Sequence, residues 1–191
     1  MQQSRRPQGR TSARLLAAIA TGILLLSTMI GQQAAAAHEN SQSGVQAQID
    51  TILAATPGGT QINENQVSWE DGAVIMTVPL PGERYALGPG EEVGASGTPD
   101  CDYTFTCLYE HEQFEGRRLD FSKCGVIYDL GNWNFNDMAS SYHNNQSGGA
   151  RTTVYNWEGR WVQIWITRAA PTWSSNVGED KNDIADGIKP C

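Results

Sequence analysis

The sequence is poor in the groups that enzymes and metal proteins most often rely on. It has three histidines, His38, His111 and His143, and His111-Glu112 is not followed by a second histidine at the spacing of a zinc-protease helix. No G-x-S-x-G elbow occurs, which removes the usual strand-turn-helix setting of a serine nucleophile. The four cysteines contain no C-x2-C pair, so a structural zinc site lacks its ligand framework. Glu110, Glu112 and Glu115 lie close together, but in a hairpin such a cluster reads as a solvated charged face rather than as paired glycosidase carboxylates. With so little of a catalytic constellation present, no enzymatic activity is expected. Long apolar runs are also scarce: after Leu15 to Ile30 there is no other, so the remainder is expected to be soluble, without a membrane partner.

That one run sits in an export context. Arg5, Arg6, Arg10 and Arg14 precede it and Ala34-Ala35-Ala36-Ala37 follows it, which predicts a cleavable signal peptide over residues 1–37 and a secreted, extracellular product. The run is shorter than the roughly 20 residues a spanning helix needs and is interrupted by Thr21, Gly22, Ser27 and Thr28. Arg5-Arg6 lacks the apolar residue two positions on that a twin-arginine exporter reads, which favours the general secretory route. Positive charge is scarce beyond this point: nine Lys and Arg remain of 13 against all 21 acids, a balance of −12. A surface this acidic repels nucleic acid and suits a cation or a basic partner, although net charge also serves solubility.

All four cysteines, Cys101, Cys107, Cys124 and Cys191, lie downstream of the signal. An even number in an oxidising compartment predicts two disulfides among three possible pairings. The expected choice is Cys101 with Cys107, closing a small loop, and Cys124 with Cys191, pinning the chain terminus.

The chain divides by composition. Over residues 38–78, Val45, Ile49, Ile52 and Leu53 fall at helical spacing before Pro57-Gly58-Gly59, and Gln66–Trp69 and Ala73–Val78 flank the turn Glu70-Asp71-Gly72 as a hairpin. Residues 79–99 are rich in Pro and Gly and read as a linker. Residues 100–191 hold five of the six tryptophans and all the cysteines, enough for one compact all-β domain. Strands are expected at 106–110, 118–121, 152–156 and 160–166. In the last, Val162, Ile164 and Ile166 alternate with Trp161, Gln163 and Trp165, and the tryptophans are expected either to form a surface patch or to seal the underside of a long loop.

One unit is written twice in this domain. Tyr109-x4-Phe114-x-Gly116 is followed by Asn136-Asp137-Met138-Ala139-Ser140-Ser141, and Trp157-x-Gly159 by Asn182-Asp183-Ile184-Ala185-Asp186-Gly187. Glu115-Gly116-Arg117 recurs as Glu158-Gly159-Arg160, displaced by 43 residues, which sets Thr152 against Tyr109. A period of this size marks a supersecondary unit that needs its copy to complete a core. A hairpin folded back over its sheet needs glycine where side chains would collide and an aromatic to pack beneath it.

These motifs resemble the βγ-crystallin superfamily, whose Greek key carries the aromatic-x4-aromatic-x-Gly signature and a later serine, here Ser141. Its calcium-binding members carry [Asn/Asp]-[Asn/Asp]-x-x-[Ser/Thr]-Ser, matched in full at Asn136 to Ser141. More narrowly, Cys101-x5-Cys107-Leu108-Tyr109-Glu110 with Gly116-Arg117-Arg118 is similar to secreted actinobacterial proteins grouped with the streptomycete metalloproteinase inhibitor. The resemblance covers Asp100 to about Tyr155. It implies a double Greek-key sandwich preceded by a small helix-and-hairpin segment, with Ca2+ as the bound ion, a hard cation suited by mixed oxygen donors.

By that resemblance Ser140 and the carbonyl of Met138 are ligands, Asn136 and Asp137 shape the first loop, and Asn182, Asp183 and Asp186 form a second. There Asp186 replaces the hydroxyl, and Gly187 replaces the serine that ties the loop to the fold. Without an ion, the same residues would make turns through side-chain-to-backbone hydrogen bonds. The resemblance also implies a peptidase inhibitor, monomeric, that blocks an extracellular metalloprotease with a rigid loop. The family's later cysteine-closed loop is missing, so the candidate is Thr167 to Asn176, with Ala170, Pro171, Thr172 and the aromatic Trp173 at its centre. Alternative readings are a calcium-stabilised extracellular structural or binding module and a killer-toxin-like antimicrobial protein. Strong negative charge disfavours the latter, because anionic envelopes attract basic proteins.

Overall fold

The protein is described by a computed structural model over residues 43–94 and 97–191. The expected signal peptide lies outside these residues, and no helix among them is long and apolar enough to cross a membrane.

A helix, α1 (residues 43–55), opens the described chain. Val45, Ile49 and Ile52 are buried on one stripe, and Gly58 with φ +84° follows the helix end, as the spacing predicts. The hairpin comes next: β1 (Thr60–Gln61), β2 (Gln66–Trp69) and β3 (Val74–Thr77), with β2 and β3 joined through a one-turn 3-10 segment at Glu70–Gly72. Then follow β4 (Thr106–Tyr109), β5 (Arg118–Phe121), β6 (Tyr128–Asp129), β7 (Ser141–Asn144), β8 (Thr153–Trp157), β9 (Trp161–Ile166), β10 (Thr172–Ser174) and β11 (Gly187–Lys189).

The strands form two antiparallel sheets, ordered β1-β2-β3-β5-β4-β7-β10 and β6-β11-β8-β9. The first repeat is β4 to β7 and the second β8 to β11. In each, the third strand crosses over: β6 joins the second repeat's sheet and β10 the first's. This exchange makes a double Greek-key sandwich. The N-terminal hairpin extends the first sheet by pairing β3 with β5. Between the layers, Leu108, Leu119 and Phe121 meet Val154, Trp165 and Ile188, with Tyr128, Leu130 and Trp133 from the connection. Val45, Ile49, Ile52, Val67 and Trp69 belong to the same cluster. The N-terminal segment is therefore stabilised by docking, as a lone hairpin must be.

The facing of β9 departs from simple alternation. Val154 pairs with Trp165 but Tyr155 pairs with Gln163, so Ile164 is an extra residue at a bulge. The bulge flips the faces beyond it: Trp165 is buried against the core while Ile166 is 47% exposed.

Residues 79–99, expected as a linker, differ most from the sequence reading. The described part is irregular, as its Pro and Gly content dictates, but it is tied across the outer face of the first sheet. Asn65 Nδ2 donates to the carbonyls of Val78 and Leu87, and the Gly116 amide to that of Arg84. Arg118 dominates this packing. Its fully buried guanidinium holds Asp120 through Nε at 2.8 Å, Glu91 through Nη1 and Nη2 at 2.6 and 2.8 Å, and the carbonyls of Ala86 and Asp100. The β-domain thus gains a covering strap in place of a flexible tether. A second small cluster, Cys101, Cys107, Tyr109 and Phe114 with Tyr85 and Phe105, lies on this outer face. Both expected disulfides, Cys101–Cys107 and Cys124–Cys191, are formed.

Replacing Arg118 by Met removes the partner of two carboxylates and is expected to cost about 3–5 kcal/mol, read as a lower urea midpoint. Burial pushes the Glu91 carboxyl up, but its bonds to Arg118 and the Gly88 amide more than reverse this and hold it below the usual range. Because the folded pKa is depressed, the stabilisation is present above the ordinary glutamate pKa and lost as pH falls through and below it. The urea-midpoint gap between wild type and Glu91→Gln is therefore expected to shrink on acidification. Burial raises the neighbouring Asp120 carboxyl to about 6 and Glu91 adds to that rise, so Asp120 belongs to the same linked titration.

Candidate functional site

The strand exchange brings the two repeated loops together. Each begins with an acidic residue in left-handed backbone, Asp137 with φ 56° and Asp183 with φ 55°. The Asp137 amide donates to the carbonyl of Ala185, so the first loop is hydrogen-bonded directly to the second. Ala139 and Ala185 are fully buried beneath them.

At the fifth position the two copies use opposite chemistry. Ser140 Oγ lies 2.9 Å from the Glu110 carbonyl and 3.2 Å from Asp183 Oδ1, bridging its own hairpin and the other copy's loop. In the second copy Asp186 Oδ2 accepts from the Trp157 amide at 2.8 Å. Burial and the nearby Asp186 raise the Asp137 carboxyl above its usual range; a bond from Asn136 opposes this and Asp183 adds to it. Negative charge is thus crowded where the loops meet. Asn182 Nδ2 donates to Asp183 Oδ2, while Asn182 Oδ1 is shielded from solvent and accepts no hydrogen bond.

Ser141 is the mechanical tie of the first copy. Its hydroxyl donates to the His111 carbonyl at 2.6 Å and accepts from the Phe114 amide at 3.1 Å, holding the folded hairpin down. Beneath that hairpin Phe114 meets Tyr109 edge-on, with ring centres 5.4 Å apart. Gly116 has φ +78°, and a Cβ there would stand 2.9 Å from His111, which accounts for the signature glycine.

The second copy differs from the first in both register and geometry. Tyr109 pairs with Ser141 and Tyr155 with Gly187, so Tyr155, not Thr152, is the strand equivalent of Tyr109. The turn is also tighter: in the first copy Tyr109 and Arg118 close on residues 110–117, whereas in the second the ladder continues to Trp157 and Trp161, which close on 158–160 alone. A turn that short cannot fold back over the sheet. Trp157, expected as the counterpart of buried Phe114, is instead 53% exposed and packs against Trp161 at 4.8 Å. Gly159 has φ +75°, which keeps its turn role, but its missing Cβ faces open space. Trp161 lies over Gly187, where a Cβ would meet its ring at 2.7 Å. The ring therefore takes the space that a serine at Gly187 would need. Asp129, Gly131, Asn136 and Asp186 complete a cleft of about 330 Å3 with these tryptophans, which no single motif in the sequence announced.

The candidate inhibitory loop is partly a strand. Thr172–Ser174 is β10, paired with β7 along the sheet edge, and Trp173 is half exposed with its ring edge-on to His143. The exposed stretch is therefore Arg168, Ala169 and Pro171, preceded by buried Thr167. Thr167 Oγ1 accepts from Asn144 and from the Thr152 amide, and the Ala170 amide donates to Ala150.

Residues 94–165, less than half of the chain, match the family model described as Peptidase inhibitor family I36, which points to a non-enzyme. The match ends before the candidate loop. Among solved structures, a betagamma-crystallin domain from Clostridium beijerinckii is 22% identical over 45% of this chain and 95% of its own, with a TM-score of 0.37. A structure described under the evolution of the eye lens beta-gamma-crystallin domain fold is 15% identical over 53% and 94%, with a TM-score of 0.38. No curated protein matches the chain.

Ser141→Ala leaves the Phe114 amide without its partner and is expected to destabilise by about 1–3 kcal/mol in urea unfolding. Gly187→Ser should cost a similar amount, about 1–3 kcal/mol, by driving into Trp161, with the Trp161 indole resonance shifting in NMR spectra.

Proposed function

We propose that this is a secreted inhibitor of metallopeptidases whose paired loops bind calcium. The observation that carries the inhibitor reading is the family match over residues 94–165, on a disulfide-braced fold with little mobility to lose on binding. The inhibitory segment runs from Thr167 to Trp173. It is pinned at both ends, by Thr167 on Asn144 and by β10 on β7, which favours an extended segment presented rigidly to a protease cleft. Trp173 supplies an aromatic anchor. Titration against a thermolysin-like enzyme should give stoichiometric inhibition at micromolar concentration, weakened by at least about tenfold in Trp173→Ala, an anchor loss of roughly 1.4 kcal/mol or more. Inhibition of a subtilisin-like serine protease alone would remove the metallopeptidase target, and inhibition of neither would remove the reading.

Calcium is supported by the donor chemistry. The Ser140 hydroxyl, the Met138 carbonyl, the carboxylates of Asp137, Asp183 and Asp186 and the unpartnered Asn182 Oδ1 are all hard oxygens, and a divalent ion offsets the burial and the carboxylate repulsion that together raise Asp137. Among the described residues no three acidic, histidine or cysteine side chains converge closely enough to hold a metal by themselves, so main-chain carbonyls and the hydroxyl must contribute. An ion that binds only the folded chain raises its stability by linkage, about 2.7 kcal/mol at a hundredfold excess over the dissociation constant. Thermal unfolding of the oxidised protein with calcium and with chelator is expected to show that upward shift, reduced in Ser140→Ala. Identical curves in the wild type would return both loops to the role of turns.

A further inference from the structure

The outer face of the second sheet carries a cleft that shares Asn136 and Asp186 with the calcium loops, but whose aromatic wall neither inhibition nor calcium explains. Trp157 and Trp161 form a corner, their planes at 65°, and Tyr155 continues the aromatic surface at 6.4 Å from Trp161. Two carboxylates face the same space, Asp129 and Asp186. Each is fixed by one oxygen, Asp129 Oδ1 accepting from the Gly131 amide at 2.9 Å and Asp186 Oδ2 from the Trp157 amide at 2.8 Å. The second oxygen of each is left as an acceptor at a set position.

We propose that this cleft binds a guanidinium group. Aromatic faces beside anionic oxygens attract organic cations, and the planar guanidinium both stacks on indole and bridges two carboxylate acceptors, which a compact ammonium does not. The chain's acidic balance favours the same sign of ligand. At about 330 Å3 the cleft is at the small end for ligand sites and suits one side-chain-sized group. The tryptophan corner also argues against a sugar, which stacks best on flat, open aromatic platforms. The tighter turn of the second hairpin is what opens the site, since in the first copy residues 110–117 fold over the equivalent surface and Phe114 is buried.

The test is a titration of the oxidised protein, with chelator present because Asp186 also belongs to the calcium loop, using N-acetyl-arginine amide and following indole N–H resonances by NMR. Saturable shifts confined to Trp157 and Trp161, with a millimolar dissociation constant, are expected. Trp157→Ala should weaken binding by about fivefold or more, and Asp129→Asn, which keeps the oxygen that accepts from Gly131, should do so by a similar factor. Trp157 is half exposed, so its replacement should leave the fold intact, as circular dichroism would confirm; the Asp129 variant decides the matter if it does not. Equal binding of the neutral isostere N-acetyl-citrulline amide, saturation by methyl glucoside instead, or no shift at tens of millimolar arginine amide would each overturn the proposal. A pentapeptide with arginine at its centre distinguishes the source of the group. Affinity at least about tenfold above the amide, roughly 1.4 kcal/mol, identifies a partner polypeptide, and equal affinity a free guanidino compound.

Discussion

Neither repeat can complete its own sheet, and that constraint organises everything else. β6 leaves the first repeat to pair with β11, and β10 leaves the second to pair with β7. Each apolar face is therefore sealed only when both copies are present, and the backbone groups of each third strand find partners only in the other copy. The exchange also decides where the loops fall. The connections before β7 and β11 meet at the junction, where Asp137 binds the Ala185 carbonyl and Ser140 reaches Asp183. Charge placed in one loop is felt by the other, which is why Asp137 responds to Asp186 and Asp183.

The outer face of the first sheet solves a different problem. Extending that sheet to seven strands leaves Arg118 and Asp120 inside a layered structure, where an unpaired ion costs several kcal/mol. The strap supplies what the sheet cannot, a second carboxylate from Glu91 and two main-chain carbonyls. Such a network contributes less net stability than its short distances suggest, because desolvation offsets much of it. Its consequence is positional. With every guanidinium nitrogen engaged, the irregular segment has one way to lie across the sheet, and through Arg84 and Tyr85 it also backs the hairpin that carries Glu110.

What the sequence revealed follows from the range of the interaction that writes it. Local patterns were legible: the helical stripe of Val45, Ile49 and Ile52, the hairpin around Asp71-Gly72, strands rich in β-branched and aromatic residues, and the signature Tyr109, Phe114 and Gly116. Strands that exist only through distant partners were not. Ser141-Tyr142-His143-Asn144 has no apolar alternation, and Tyr128–Asp129 is too short to show any. The Pro and Gly content of residues 79–99 correctly indicated the absence of regular structure, but says nothing about packing, which depended on a buried charge at Arg118. The bulge at Ile164 was hidden because one extra residue changes facing without changing composition. In the candidate site the loop residues stand in repeated motifs that the sequence displays, whereas the cleft has no such mark, since Asp129, Asn136, Trp157, Trp161 and Asp186 are brought together only by the exchange.

The two copies show how a duplicated unit can diverge without losing its frame. Their strands superpose at one displacement, Tyr109 with Tyr155 and Ser141 with Gly187, while their glycine turns keep a shorter one, Gly116 with Gly159. The difference is not chain length, since Leu108 to Leu119 and Val154 to Trp165 enclose equal stretches. The second hairpin's ladder runs further, to Trp157 and Trp161, before a tighter turn, and the bulge takes up the extra residue. Once that hairpin no longer folds over the sheet, a serine at position 187 has no turn to tie down, and Gly187 admits the Trp161 ring in its place. Asp186 then takes over the task of fixing the turn, by accepting from the Trp157 amide as Ser141 holds Phe114 in the first copy. One tighter turn thus accounts for three departures from the repeated pattern: the lost serine, the exposed tryptophan and the carboxylate at the fifth position. It also explains why the first copy keeps its aromatic pair buried, while the second turns its aromatics outward beside fixed carboxylates.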